Sequence, residues 1–94
     1  MSDKLVSVIT PCYNTAQYLP RLLDSLLRQS YQHMEVIAVD DGSTDDTMTV
    51  LSSYAKRFEE KGYSYQVLHQ ENQGQSVAIN RALKLQEKRE LYIC

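Results

Sequence analysis

Two hydrophobic periods alternate along this chain. Short β-branched runs are separated by stretches in which apolar residues recur every three or four positions. The first run, Leu5 to Thr10, predicts a strand. It meets Pro11, which is tolerated where a strand stops pairing, and then Cys12-Tyr13-Asn14-Thr15, which ends in turn and capping residues. Leu19, Leu22, Leu23, Leu26 and Leu27 share one helical face. They predict a helix from near Leu19 to about Gln29, with Pro20 in its first turn.

The second run, Glu35 to Asp40, holds the wholly apolar segment Val36 to Val39 and predicts a buried parallel strand. Two consecutive acids, Asp40 and Asp41, close it, and Gly42-Ser43 turns the chain. Thr44, Asp45, Asp46 and Thr47 bring capping hydroxyls and negative charge to a helix expected from about Asp45 to Glu60. Met48, Leu51, Tyr54, Ala55 and Phe58 keep its period, and Gly62 stops it. In Tyr63 to His69, Tyr63, Tyr65 and Val67 alternate with polar residues, which predicts an edge strand with one wet face. Residues 71–75 form a loop, Ser76 to about Lys88 a helix with a solvated charged end over 84–90, and Leu91 to Cys94 the start of a fourth strand.

The order is β-α-β-α-β-α-β in a single domain, 1–94. Helical crossovers between strands are right-handed, so the fold class is α/β. The sheet is open and mainly parallel with helices on both faces, a Rossmann-like half of a doubly wound fold. The 43% hydrophobic and 23% charged content is that of an ordinary globular chain. Net charge is -2 with no basic run, which argues against nucleic acid as a partner. No apolar stretch approaches the roughly 18 residues of a membrane span, and the N-terminus has no signal-peptide pattern. Cys12 and Cys94 have no metal-ligand spacing and suggest a reduced, cytoplasmic setting.

Ligands of such sheets bind just outside the carboxyl ends of the strands, so Asp40 and Asp41 are site candidates. Adjacent strand residues face opposite sides, so at most one of them meets a ligand lying over the strand end. A carboxylate only accepts hydrogen bonds, and its natural nucleobase partner is an N–H such as uracil N3–H. Asp also serves turns and helix starts, and the residues alone leave both readings open. Tyr13, just past strand one, is placed either to stack on a base or to cover the sheet. Gly74 precedes a helix N-terminus, which suits an anion or simply a loop. His33 and His69 have no partner at metal or catalytic spacing and are expected at the surface or at strand ends. Cys12 is assigned no chemistry.

Together these residues resemble the N-terminal segment of inverting family 2 glycosyltransferases with the GT-A fold. Val6-Ser-Val-Ile-Thr-Pro-Cys-Tyr-Asn14 is similar to that family's opening strand. Tyr18-Leu19, Leu23, Ser25-Leu26, Gln29-Ser30 and Tyr31 are similar to its first helix and exit. Glu35 to Thr47 is similar to its second motif, and Asn72-Gln-Gly74, Ala78 and Asn80 to its third. The resemblance implies hexosyl transfer from a UDP-sugar donor, as in polysaccharide biosynthesis, with Asp41 accepting from uracil N3–H and Tyr13 stacking on the ring. It implies that Pro11 lines the base pocket and that Gly74 borders the sugar-nucleotide cleft. It leaves Asp40 and Asn14 structural at the site, and Asp45 and Thr47 as capping residues.

The family's Asp-x-Asp motif, which binds a divalent metal (Mn or Mg), and its catalytic base are expected beyond Cys94. This chain is therefore expected to be the nucleotide-binding half of a longer enzyme, inactive alone, working in the cytoplasm or at the cytoplasmic face of a membrane. The sequence names neither sugar nor acceptor. An isolated nucleotide-binding module is the alternative. A receiver-like signalling domain is another, but it carries its acids after strand one, where this chain has Thr10-Pro11-Cys12. A dehydrogenase would need the glycine-rich turn that this sequence lacks. An unpaired fourth strand would expose an edge and favour a homodimer. Sedimentation at tens of micromolar is expected to show dimer, and a pure monomer would overturn that expectation.

Overall fold

A computed structural model of the chain describes residues 5–85 and 90–93. Its elements in order are β1 (Val6–Cys12), α1 (Leu19–Leu27), β2 (Met34–Asp41), α2 (Thr47–Ser53), α3 (Ala55–Lys61), β3 (Ser64–Gln70), α4 (Gln75–Leu85) and β4 (Glu90–Ile93). The strands form one sheet in the order β3-β2-β1-β4, and every pairing is parallel. The expected α/β class and the edge position of β3 both hold. The expected helical extension over 86–88, residues 86–89 of that charged end and the strand residue Cys94 lie outside the described residues.

Strand alternation divides the core in two. Val8, Cys12, Val36 and Ala38 face α1, α2 and α3 through Leu19, Leu23, Leu26, Leu51, Tyr54 and Phe58. Ile9, Ile37 and Val39 face α4 through Ala78 and Ala82. The small alanines let α4 lie close on the sheet. Phe58 is fully buried, stacked on Tyr65 with ring centroids 4.5 Å apart. The wet face expected for β3 is only partial, because Leu68 packs beside the α4 cluster.

Three boundaries differ from expectation for local reasons. β1 runs through Pro11 to Cys12, with Pro11 opposite Val39. Val6 N–H donates to His33 O, so even-numbered residues of β1 bond toward β2. Pro11 therefore directs its missing donor away from β2 and breaks none of that ladder. β2 likewise includes Asp41 as well as Asp40.

The single helix expected over 45–60 is two, parted at Tyr54. Tyr65 Oη donates to Leu51 O at 2.6 Å and Ser53 Oγ to Val50 O at 2.7 Å, while Tyr54 N–H turns back to Leu51 O. Side chains thus compete for carbonyls at the break. Gly62 ends α3 with φ 90° as expected.

Phe58→Ala is expected to cost about 3–5 kcal/mol, the usual penalty for emptying a buried aromatic site. Chemical denaturation measures it, and a loss under about 1 kcal/mol would contradict the packing described.

Candidate functional site

Parallel register brings the carboxyl ends of β1, β2 and β3 level. Cys12 lies opposite Asp40, Asp40 opposite His69, and Asp41 opposite Gln70. The alternation that sends Val36 and Ala38 to one face and Ile37 and Val39 to the other separates the two acids. Asp40 and His69 share the α1–α3 side, and Asp41 and Gln70 share the α4 side.

Asp41 gathers three N–H donors. Its Oδ1 accepts from Gln70 Nε2 at 3.0 Å and from Gln73 N at 2.7 Å, and its Oδ2 from Gly74 N at 2.9 Å. The Gln70 amide, followed by the backbone N–H of Gln73, holds its carboxyl below the usual range, against the opposing effect of burial. Gly74 caps α4 with φ 101°, and its carbonyl accepts from Ala78 N. Gly42 permits the approach of this loop. With φ 75°, it would carry a Cβ only 2.8 Å from Asn72 N.

Asp40 is 1% exposed. Its Oδ1 accepts from Ser43 N at 3.2 Å, and its Oδ2 lies 3.1 Å from His69 Nδ1. His69 is an exposed residue at the end of β3, as expected, and in addition it has Asp40 as a partner. The two residues are 29 apart in sequence, and only the β2–β3 register joins them. His33 has an edge contact with the Tyr31 ring.

The loops after β1 and β2 are laced together. Asn14, in the left-handed region at φ 52°, accepts at Oδ1 from Thr44 N at 2.8 Å and Asp45 N at 3.3 Å. Its own N–H donates to Ser43 Oγ at 2.8 Å. Thr15 N donates to Thr47 Oγ1 at 2.9 Å, and Ala16 N to Asp45 Oδ2 at 3.2 Å. Asp45 accepts from both the N–H and the hydroxyl of Thr47, and that hydroxyl holds its carboxyl below the usual range. Asp45 and Thr47 thus do more than cap α2, because they also tie it to the β1–α1 loop.

Above these strand ends lies an open cleft of about 360 Å³, lined by Pro11, Cys12, Tyr13, Asp41, Asn72 and Gln75. Tyr13 is 48% exposed, so about half of its surface stays open to solvent at the cleft. Of the expected site residues, Pro11, Tyr13 and Asp41 meet at this cleft. Gly74 reaches it through its bond to Asp41, while Asn14 and Asp40 brace the loops behind. Gln75 and the supporting Gln70 were missed, and Asn72 and Gln73 entered only as part of the motif around Gly74, with no role assigned. Gln70 ends β3 and Gln75 opens α4, and neither carries a signal of its own in the sequence. Cys12 is buried, and burial pushes its thiol pKa up, so it remains a neutral wall of the cleft.

The family described as glycosyl transferase family 2 matches residues 7–93. The chain belongs to this family. It is 46% identical over 80 residues to TuaG of Bacillus subtilis, a putative teichuronic acid biosynthesis glycosyltransferase, covering 85% of this chain and 31% of TuaG. A crystal structure of S. aureus TarS superposes with a TM-score of 0.83 at 31% identity, over 96% of this chain and 26% of that one. TarS has also been solved with UDP and with UDP-GlcNAc. A mannosyltransferase from Pyrobaculum calidifontis, solved with GDP-Man and Mn2+, superposes with a TM-score of 0.79 at 29% identity, over 93% of this chain and 26% of that one.

The chain therefore spans under a third of the length of each of these relatives. Among the described residues, no group of three His, Cys, Asp or Glu side chains is placed to hold a metal. Nor is any described helix long and apolar enough to cross a membrane.

The lowered carboxyl pKa of Asp41 sets an acid limit. Its folded value lies below its unfolded one, so its contribution to stability is complete above about pH 4 and disappears as pH falls through the folded value. Asp41→Asn is expected to flatten the acid limb of the stability curve below about pH 4. Asp45, which titrates in the same direction, should keep part of that limb in the variant. A limb unchanged by the substitution would contradict the role given to these bonds.

Proposed function

We propose that this chain is the nucleotide-sugar-binding half of a family 2 glycosyltransferase, and that its donor is a UDP-sugar. The observation that carries this reading is the convergence of Asp41, Tyr13 and Pro11 on one cleft at the carboxyl ends of β1 and β2. The sheet runs from β1 to β3 on one side and to β4 on the other, and ligands of such sheets sit beside that reversal. Asp41 accepts from uracil N3–H, Tyr13 stacks on the base, and Pro11 forms the apolar floor. Gly74 and the start of α4 border the diphosphate side, where helix N–H groups favour an anion. Asn14 and Asp40 keep the strand-end loops in register and do not touch the nucleotide.

The UDP and UDP-GlcNAc complexes of TarS support a uridine donor. The sugar is transferred with inversion by direct displacement, and its acceptor is bound by the remainder of a longer protein. A divalent cation on the diphosphate is part of this reading, as the Mn2+ beside GDP-Man in the mannosyltransferase suggests. In the same reading its ligands and the catalytic base belong to that remainder, and the residues of this chain bind and orient the donor without taking part in the transfer step.

Titration with UDP, CDP and ADP tests the assignment. UDP is expected to bind preferentially. Asp41→Asn should weaken it about tenfold or more, the value of a hydrogen bond to a charged group. Tyr13→Ala should cost about 1–3 kcal/mol, the value of stacking on one base. Equal affinity for the three nucleotides, or an Asp41→Asn protein that binds UDP unchanged, would overturn the reading.

A further inference from the structure

We propose that Gln70, oriented by Arg81, is the residue that makes this cleft select uracil over guanine. The inference rests on the donor-binding reading above and extends it to a residue outside the cleft wall. Gln70 is 5% exposed and directs its amide at Asp41. A carboxylate cannot donate, so the nitrogen of that amide must face Asp41 and its oxygen must face away. On that far side, Arg81 Nη1 lies 3.4 Å from Gln70 Oε1 and donates to His69 O at 2.9 Å. The donors thus run in one direction, from the guanidinium through the amide to the carboxylate.

The consequence lies in which acceptor positions remain. An ionised carboxylate offers roughly four, two on each oxygen. On Asp41, Gln70 Nε2 and Gln73 N fill both positions of Oδ1, and Gly74 N takes one on Oδ2. One position on Oδ2 is left for a ligand. Uracil presents a single N–H, at N3 between two carbonyls, and needs one position. Guanine presents N1–H and N2–H side by side and would take one position on each oxygen. Oδ1 has none to give, so guanine must leave an N–H unpaired in the cleft or displace a protein donor. Cytosine and adenine present a ring acceptor in place of the N–H, which the carboxylate repels, and keep only an exocyclic amine as donor. Of the two donors on Oδ1, Gln73 N belongs to the backbone, which leaves Gln70 as the one that substitution can remove.

The test compares UDP and GDP affinity by calorimetry for the unaltered protein, Gln70→Met, Arg81→Leu and Asp41→Asn. Gln70→Met keeps the length of the side chain and removes its donor. It is expected to lower the UDP-to-GDP preference about tenfold, chiefly by tighter GDP binding, since the freed position accepts a hydrogen bond to a charged group. A merely structural role would weaken both nucleotides together and leave the ratio alone. Arg81→Leu changes a partly exposed side chain and serves if the buried substitution unfolds the protein. It is expected to move the ratio in the same direction by a smaller factor, as the amide loses its orientation.

An unaltered protein that prefers GDP would overturn the inference. So would a ratio unchanged in Gln70→Met or, if that variant does not fold, in Arg81→Leu. Loss of UDP affinity in Asp41→Asn beside an unchanged ratio in Gln70→Met would overturn the role of Gln70 alone. UDP affinity unchanged in Asp41→Asn would overturn the underlying reading and the inference with it.

Discussion

The cleft depends on the carboxylate of Asp41 and the three N–H groups that converge on it. Those donors come from the end of β3 and from the two residues that lead into α4. One side chain therefore joins two strands and positions the start of a helix. Bonds to an ionised acceptor are the strong kind, and these three occupy most of the group's capacity. In the proposed reading, the same load makes the remaining capacity selective. A carboxylate with four free positions accepts many donors, whereas one with a single free position distinguishes a lone N–H from a pair.

The second constraint is the lacing of the loops after β1 and β2. Each of Asn14, Thr15 and Ala16 bonds across to the segment 43–47, 29 to 32 residues away. Loops at the carboxyl edge of a parallel sheet have no ladder of their own, and their polar groups must find partners nearby or take water. Asn14 accepts the strain of a positive φ to reach two N–H groups at once. The result holds Tyr13 beside Asp41 with its ring still half exposed.

The two adjacent acids illustrate how a pleated strand divides labour. Asp40 turns to the α1–α3 side, where it bonds to Ser43 N–H and the His69 ring. Asp41 turns to the α4 side and opens on the cleft. Their chemistry is identical, and the parity of their positions alone decides which one faces the cleft. The same parity puts Gln70 beside Asp41 and His69 beside Asp40 on the neighbouring strand.

The sequence by itself determined the order of the elements, the parallel class of the sheet and the helical faces. These follow from periodicity, which is a local property of the chain. Leu19 to Leu27 mark one face of a helix, and Val36 to Val39 mark a strand covered on both sides, whatever else surrounds them. The motifs around Tyr13, Asp41 and Gly74 also pointed to residues that the fold gathers at one edge of the sheet. Only the tertiary structure decided that Pro11 continues β1, because that depends on which neighbour its missing N–H would have faced. Only it decided that the helix after β2 breaks at Tyr54, because the hydroxyl that takes the Leu51 carbonyl comes from Tyr65 on another element. The pairings of Asp40 with His69 and of Asp41 with Gln70 were hidden for the same reason. Both span 29 residues, and register between strands is set by the packing of the whole sheet rather than by either segment.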